Sequence, residues 1–537
     1  MNQTQHLVNR PLAVIIGSIL ATGFGVSQTQ AATITVNSLA DGSDPSACTL
    51  RDAVRSANNN ASYGGCQAGE PGMDTIEFSV TGTIQLTNGA LNVTDDLTIA
   101  GPGAEELTVD GNNLDRVLDV IGGGFNGDAD NVVLSDITIT GGGPGGFLGG
   151  GIRLQGTETA LFERVHIVNN PRGGIYDDFT YTSITIHDSV ISGNGNRGIN
   201  TQGAELLLIE NTLISNNATG GIWARGDLRI YASEIRDNFI DGFGAGGIDT
   251  YLSDLVLHDS IIADNSATGV GGGVFFHGYT MDIQRTAIYG NSATDSGGGV
   301  FAQIFHNGLI ADSAIHDNTS STNGGGLMIR QAGLQGGLQV VNTTISGNQA
   351  SRGGGVYVHR QATGEADLEH VTIADNIASS PSMGLGGGIS YRTDIGTLQL
   401  RNTIVHGNAA TDGNGHDLVA WSAPVPNPSP GEITLNETVS LNFSLVGDIS
   451  GFTPDGTGNL FAVDPLLGPL ADNGGPTLTH LPDEASPVID VGDPDFTGPA
   501  QFDQRGEGFP RVLGGRTDMG AVEIESDVIF ADAFEGN

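Results

Sequence analysis

The chain has 537 residues, with 61 acidic and 20 basic side chains, and every basic residue is arginine. A net charge of −41 argues against binding to nucleic acid or to an anionic membrane surface, because both are polyanions that would repel the chain. The 84 glycines occur as short punctuating runs, which predicts many tight corners and not a disordered tract.

Residues 1–31 are predicted to be a signal peptide. Arg10 precedes an apolar stretch, Pro11–Val26, and Thr29-Gln30-Ala31 ends in a small residue suited to cleavage. The stretch is too short and too broken by glycine to span a bilayer stably, although an uncleaved anchor is the alternative. No later segment has the run of about 18 apolar residues that a span needs. We therefore expect an exported protein with no transmembrane segment in the mature chain.

Residues 32–125 are predicted to form an N-terminal cap and the first coils. The chain has only two cysteines, Cys48 and Cys66, which are too few to bind zinc unaided. In an oxidising compartment they are expected to form a disulfide that closes a loop of about 19 residues and contributes about 3 kcal/mol. The stretch after Cys48 predicts a short helix with Leu50, Val54 and Ala57 on one face, able to cover the first coil.

The region 126–410 carries a repeat of the form [Ile/Val]-x-x-Asn. Its ten asparagines lie 21 to 32 residues apart, a period that is typical of stacked repeats. They are Asn170, Asn194, Asn217, Asn238, Asn265, Asn291, Asn318, Asn348, Asn376 and Asn408. We expect these side chains to form a structural ladder, in which each one bonds to the corners above and below it.

Each repeat predicts three short strands separated by polar corners. Apolar residues eight and ten positions before the asparagine, such as Leu257 and Leu255, alternate with polar ones as in a strand. Ser or Thr five positions before the asparagine, in eight of ten copies, predicts one tight corner. The asparagine marks the second corner, because this residue tolerates a left-handed backbone. A glycine run then leads into the third strand, as at Val274.

The predicted fold class is therefore all-β, a right-handed parallel β-helix with three short strands per coil. Coils stacked about 4.8 Å apart would number ten to thirteen and form a rod on the order of 50–60 Å long. Helical solenoids need amphipathic stretches of period 3.6, and propellers need blades of about 40–45 residues; the sequence has neither pattern. An N-terminal cap and a C-terminal β module are expected to cover the ends of the rod.

Three further segments follow the repeats. Residues 411–460 are predicted to be an irregular loop or insertion, with a run rich in proline and serine. Residues 461–525 are predicted to form a separate C-terminal module, because the coil pattern is absent there. Residues 526–537 are predicted to be a tail, either a sorting signal or a frayed end.

Several motifs resemble those of known families. Cys48-Thr-Leu-Arg-Asp-Ala resembles the signature of the CSLREA-type N-terminal domain of exported bacterial β-helix proteins. The segment Asp464-Pro-Leu-Leu-Gly-Pro-Leu-Ala-Asp-Asn-Gly-Gly-Pro-Thr, with Asp503-Gln-Arg-Gly and Arg516-Thr-Asp-Met-Gly-Ala-Val-Glu, is similar to the choice-of-anchor Q domain. The coils resemble the repeats of polymorphic outer-membrane proteins. These resemblances imply a secreted or outer-membrane-associated protein of the bacterial cell surface.

Catalysis is the alternative to a binding role. The pectin-lyase-like fold hosts polysaccharide lyases and glycoside hydrolases, although a fold by itself does not imply an activity. Acid–base cleavage of a glycosidic bond needs two carboxylates about 5–9.5 Å apart in one cleft. Asp177 and Asp178 are the nearest candidates for such a pair, but neighbours on a strand point to opposite faces. The chain has no lysine that could act as a base.

Calcium is the cofactor that the sequence favours, if the chain binds one. Asp237, Asp264, Asp317 and Asp375 each immediately precede a repeat asparagine, and carboxylates are ligands that calcium prefers. The sequence has no EF-hand loop and no nonapeptide calcium repeat. The four aspartates are therefore either calcium ligands or corner-forming residues.

Two functional hypotheses follow from these observations. The first is an exported, cell-surface-associated, non-catalytic scaffold or adhesin-like protein that binds a polysaccharide or a cell-surface partner along a flank of the coils. The second is a uronic-acid lyase or glycoside hydrolase that acts in a groove of the helix. The hypotheses differ in whether several carboxylates, with arginine or histidine, converge in one groove.

Overall fold

The structure is a computed structural model that describes residues 31–123, 129–143, 149–178, 181–331, 337–360, 365–379, 386–393, 397–411, 415–421, 438–450, 452–498 and 500–525. Residues 1–30 of the predicted signal peptide and the predicted tail lie outside the described residues, as does part of the predicted insertion. The chain is an all-β, right-handed parallel solenoid of about 12 turns, and the predicted fold class is confirmed.

Three parallel sheets run along the rod, and each coil adds one strand to each of them. Sheet 1 contains Thr33–Val36, Asp74–Phe78, Leu97–Ala100, Asn131–Ser135, Thr159–Glu163, Ser183–His187, Leu206–Glu210, Asp227–Tyr231, Leu255–His258, Thr397–Arg401 and Thr438–Asn442. Sheet 2 contains Gly82–Gln85, Leu107–Asp110, Thr138–Thr140, His166–Val168, Val190–Ser192, Leu213–Ser215, Glu234–Arg236, Ile261–Ala263, Ala287–Tyr289, Ala314–His316, Ile404–His406, Leu445–Val446 and Leu460–Phe461.

Sheet 3 follows the glycine runs. It contains Leu91–Val93, Leu118–Ile121, Ile152–Gln155, Ile175–Asp177, Ile199–Thr201, Ile222–Ala224, Ile248–Tyr251, Leu327–Gln331, Val356–Arg360, Ile389–Thr393, Leu418–Trp421 and Ile449–Ser450. Four longer strands join two sheets. Val274–Gln284 and Val300–Ala311 pass from sheet 3 into sheet 1, and Gly337–Ser346 and Glu365–Ala374 pass from sheet 1 into sheet 2.

A fourth, two-residue strand was not predicted. It directly follows the repeat asparagine in seven consecutive coils and forms a sheet of its own. Its strands are Phe239–Ile240, Ser266–Ala267, Ser292–Ala293, Thr319–Ser320, Gln349–Ala350, Ile377–Ala378 and Ala409–Ala410. Two residues carry too little alternation to show a strand pattern, so the period-two signal missed it.

The core is a narrow column of stacked aliphatic side chains. In sheet 1, four successive coils place Ile186, Ile209, Ile230 and Leu257 in the same register, each paired with the next. All four side chains are fully buried. Burial of each such side chain contributes about 1.5–3 kcal/mol, and each coil depends on its two neighbours for that burial.

The ten repeat asparagines are buried in one file along the rod. The backbone N–H and Nδ2 of Asn265 both donate to Oδ1 of Asn291, at 3.0 Å each. Nδ2 of Asn265 also donates to the carbonyl of Ile235 in the preceding coil, at 2.8 Å. At the downstream end, Oδ1 of Asp417 accepts both bonds from Asn408. The ladder thus satisfies buried polar groups that water does not reach.

The prediction that the asparagine itself is left-handed is wrong. The left-handed residue is the one before it: φ is +54° at Asp264 and +64° at Gly290, and the ten asparagines have no positive φ. These corner positions are filled by Asn169, Gly193, Asn216, Asp237, Asp264, Gly290, Asp317, Gly347, Asp375 and Gly407. Glycine, asparagine and aspartate adopt this left-handed backbone at the lowest energetic cost, which explains their use at the corner position. The ladder position that follows needs asparagine for its side-chain hydrogen bonds and not for its backbone conformation.

The Ser/Thr corner forms a second ladder. Oγ of Ser260 accepts from the backbone N–H of Ser233 at 3.1 Å and donates to the carbonyl of His258 at 2.7 Å. The residue before it, Asp259, has a φ of +53°. The corner between sheets 1 and 2 and the corner after sheet 2 are therefore both held by side chains that form hydrogen bonds with the backbone of the adjacent coil.

The N-terminal cap contains a helix, Leu50–Asn59, and a disulfide. Leu50, Val54 and Ala57 are buried, and Thr49 caps the helix by accepting from the N–H of Asp52. The predicted Cys48–Cys66 disulfide is confirmed, with the two Cα atoms 4.4 Å apart. No helix in the described ranges is long and apolar enough to cross a membrane.

The C-terminal module packs on the outer face of sheet 2. It contains one antiparallel hairpin, Leu467–Ala471 with Thr479–Pro482, and turns. Thr344 Oγ1 donates to Gln504 Oε1 at 2.6 Å, and the Ala521 N–H donates to Thr372 Oγ1 at 3.0 Å. An apolar cluster beside these bonds comprises Ile404, Leu445, Val488 and Met519. The module therefore covers a flank of the last coils, and these contacts are all with strands of sheet 2.

Candidate ligand-binding face

The two candidate catalytic carboxylates point in opposite directions. Asp177 occupies an inward position of sheet 3, is fully buried, and accepts a hydrogen bond from Thr182 Oγ1 at 3.0 Å. Asp178 lies half-buried on the outside, where the Tyr176 hydroxyl donates to it at 3.4 Å. Burial and the nearby Asp178 raise the pKa of Tyr176 to about 12. The geometry does not bring the two carboxylates into one cleft.

The four candidate calcium ligands are left-handed corner residues. φ lies between +54° and +59° at Asp237, Asp264, Asp317 and Asp375, and all four are exposed. Asp237 forms an ion pair with Arg236 at 2.5 Å. Across the described ranges, no three His, Cys, Asp or Glu side chains are grouped so that they could hold a metal ion. The backbone conformation gives these aspartates a structural role.

The outer face of sheet 3 carries a continuous row of side chains that sequence analysis missed. Side chains at one register position of seven consecutive coils lie directly over one another. We define this aromatic–arginine row as Tyr251, His277, Gln303, Arg330, His359, Arg392 and Trp421. The row contains no carboxylate, although the chain has 61 acidic and 20 basic residues. Each member is the fourth residue of its strand, so alignment of the repeats on the strand opener would have found it.

Rings meet at the upstream end of the row, where sheet 3 turns into sheet 1. We define this ring cluster as Tyr251, His277, Tyr279, Phe305 and His306. Ring centroids lie 4.7 Å apart for Tyr251 and His277, and 5.0 Å apart for His277 and Phe305. Tyr251 and Tyr279 are 38% and 41% exposed. Burial, followed by the charge of Arg330, lowers the pKa of His277.

A second set of side chains supports the row from below. Phe275, Phe301, Met328 and Tyr357 occupy the other outward position of the same strands and form a buried apolar cluster. The rings of Phe275 and Phe301 lie 5.3 Å apart. Because these side chains are packed, the row is attached to a rigid base and not to a loop.

Two arginines lie near the Trp421 ring at the downstream end. We define the tryptophan cluster as Trp421, Arg352 and Arg392. The guanidinium carbons of Arg392 and Arg352 lie 5.3 and 5.8 Å from the centroid of the Trp421 ring, within cation–π range. The indole N–H donates to Ser390 Oγ at 3.1 Å, which fixes the ring.

Most arginines of the described chain pair with carboxylates, but three on this face do not. Carboxylates form ion pairs with eleven arginines: Arg51, Arg55, Arg116, Arg153, Arg164, Arg197, Arg236, Arg285, Arg401, Arg505 and Arg511. In the part of the chain that the structure describes, Arg330, Arg352 and Arg392 have no such ion pair. The face therefore presents positive charge that the acidic chain does not neutralise locally.

Comparison with known families supports the fold of the coils. The model of the right-handed β-helix region matches residues 123–280. A search of curated proteins finds no match. The match lies within the coils, so the CSLREA-type and choice-of-anchor resemblances stay predictions.

Proposed function

We propose that this protein is an exported, cell-surface-associated scaffold that binds an extended glycan along the outer face of sheet 3 without cleaving it. The observation that carries the proposal is the aromatic–arginine row, in which outward side chains repeat in seven consecutive coils. Exposed tyrosine rings offer flat apolar faces with a polar edge, which suit the faces of sugar rings. A repeated register favours a ligand that is itself a repeating polymer.

The separation of Asp177 from Asp178 supports a binding role over cleavage. One carboxylate is inside the coil and the other is outside it. A glycosidase needs both of its carboxylates on one substrate. Asp177 and Asp178 therefore do not form the carboxylate pair that the alternative, a uronic-acid lyase or glycoside hydrolase, would need.

The proposed location has separate support. A disulfide persists in an oxidising compartment outside the cytosol, and Cys48 and Cys66 form one. The apolar stretch within residues 1–31 has the pattern of a signal peptide. Detection of the mature chain on intact cells by surface proteolysis would test this part of the proposal, and retention inside the cells would contradict it.

Binding is tested with the full mature chain on an array of neutral and acidic glycans, with and without calcium. We expect binding to at least one linear glycan, and a loss of about tenfold or more when Trp421→Ala and Tyr251→Ala are combined. Tyr231→Ala is the matched control, because Tyr231 lies on the outer face of sheet 1 and not in the row.

Cleavage is measured on the same glycans from new reducing ends and from the absorbance of unsaturated uronates. We expect no product from the wild-type chain. Product formation that is lost when Asp177→Asn and Asp178→Asn are combined would contradict the scaffold and favour the enzyme. Absence of binding to every glycan would also contradict the proposal.

A further inference from the structure

On the sheet 3 face, Arg330, Arg352 and Arg392 have no ion pair among the described residues at the downstream end, and Arg225, over the Tyr251 ring at 5.5 Å, has none at the upstream end. Toward the N-terminus the same face has neutralised arginines: Arg153 pairs with Asp119 at 2.6 Å, and Arg197 pairs with the buried Asp249 at 3.3 Å. Burial raises the pKa of Asp249 to about 6, and Arg197 opposes that shift. Arg352 and Arg392, by contrast, lie over the Trp421 ring and have no carboxylate partner in the described ranges. Carboxylates thus neutralise Arg153 and Arg197 on this face, whereas the arginines over Tyr251 and Trp421 keep their charge.

The two guanidinium groups of the tryptophan cluster can donate hydrogen bonds to an anion. A guanidinium stacked on a ring uses its flat face, which leaves its N–H edge to donate to an oxyanion. Carboxylate and sulfate groups accept two such parallel hydrogen bonds. The Trp421 ring is itself fixed by its hydrogen bond to Ser390, so the two arginines have a fixed surface to lie against.

The row also sets the direction and length of a ligand. Six coil steps separate Tyr251 from Trp421, which is about 29 Å at 4.8 Å per coil. The side chains share one register, so the row is parallel to the rod axis. A ligand that contacts both the ring cluster and the tryptophan cluster must be an extended polymer.

We infer that the row binds a linear glycan bearing carboxylate or sulfate groups, with the ring cluster stacking on sugar faces and Arg330, Arg352 and Arg392 pairing with the anionic groups. This inference rests on the proposed function and adds the charge class of the ligand. The net charge of −41 opposes every polyanion, so the arginines of the row must attract the ligand locally, and single-stranded DNA is tested beside the glycans as the competing polyanion.

The experiment compares polygalacturonate, dextran sulfate, neutral dextran and single-stranded DNA as ligands of the full mature chain. We expect binding to one or both anionic glycans, with the two arms separating carboxylate from sulfate. Arg330→Gln combined with Arg392→Gln should weaken this binding by about tenfold or more, because charge-assisted hydrogen bonds are lost. The binding should also weaken as salt increases.

The matched control is Arg236→Gln combined with Arg285→Gln. It changes the net charge equally, but both arginines are neutralised by carboxylates on other faces. We expect this control to bind within about twofold of the wild type, and circular dichroism of all variants to report the same β content.

The outcomes separate this inference from the proposed function. Binding to a neutral glycan alone, or equal losses in the two double variants, would overturn the anionic class but leave a glycan scaffold. Binding to single-stranded DNA through the row would overturn the inference. Absence of binding to any glycan would overturn the inference and the proposed function together.

Discussion

In the rod nine of the ten ladder asparagines bond to an asparagine of the next coil, whereas the buried polar side chains of the C-terminal module bond to several different kinds of partner. Asn265 donates twice to Asn291, and the step is repeated along the file. In the module, Arg511 is fully buried and contacts Glu523 at 3.1 Å and Asn342 of the rod at 3.3 Å. The buried polar groups of the rod thus form many equivalent hydrogen bonds, whereas those of the module depend on a few bonds to charged side chains.

The difference predicts two kinds of response to damage. A coil contacts only its neighbours, so loss of one ladder bond should remain local. The module depends on a buried charge network, and a buried charge that loses its partner costs more than a neutral group does. Substitutions in the two regions, measured by the same methods, should separate these responses.

The largest effect is expected for Arg511→Met. Above about pH 8, where Glu523 is ionised, the substitution leaves this carboxylate buried without its cation, which should destabilise the module by about 3–5 kcal/mol. Hydrogen exchange should accelerate across residues 461–525 and remain slow in the upstream coils. Arg285→Met is the control, because its ion pair with Asp259 is partly exposed and should contribute less than about 1 kcal/mol. Equal effects of the two substitutions would refute the charge network as the main support of the module.

A smaller loss, about 3 kcal/mol, is expected for Asn291→Ala. The backbone N–H and Nδ2 of Asn265 lose their acceptor, and the carbonyl of Ile262 loses a donor, all in a buried site. Hydrogen exchange should rise in the adjacent coils only. The control is Asn307→Ala, because Asn307 is exposed. If urea unfolding gives the same stability for both variants, the ladder does not stabilise the rod.

The pH dependence of the module should be altered by Glu523→Gln. Burial raises the pKa of Glu523 from 4.5 to about 7, and Arg511 opposes this shift. The folded state therefore retains a proton that the unfolded chain releases. Stability from this group is present below about pH 4.5 and is lost as pH rises through about 7, an effect on the order of 3 kcal/mol.

Glutamine resembles the protonated form and does not titrate. As pH rises from 5 to 8, the difference in stability between the variant and the wild type should therefore shift in favour of the variant. The buried His370, whose pKa is lowered by its burial, acts in the opposite sense but is common to both chains. Thermal unfolding of the two proteins at both pH values measures the difference. A constant difference would mean that Glu523 does not titrate in this range.

Much of the rod could be predicted because its residues repeat, and much of the module could not. The apolar openers and the Asn, Ser and Thr positions are local signals that recur in most coils. By contrast, Thr344 and Gln504 are 160 residues apart in the chain, and neither has a pattern that points to the other. The row on sheet 3 lies between these cases, since its position repeats while its residue types vary from Tyr251 to Trp421.

The smallest effect is expected at the left-handed corners, where it tests the calcium hypothesis. Asp264→Gly should change stability by less than about 1 kcal/mol, because the equivalent corner in the next coil is already Gly290 with the same backbone. Asp264→Val should cost about 1–2 kcal/mol, since a β-branched residue is strained at positive φ. If the aspartate serves the corner alone, calcium should shift the melting temperatures of the wild type and of Asp264→Gly equally. If calcium raises the melting temperature of the wild type and Asp264→Gly abolishes that rise, the Asp264 carboxylate binds calcium. The rod would then have a cation ligand at a position where the repeat itself requires only a left-handed backbone.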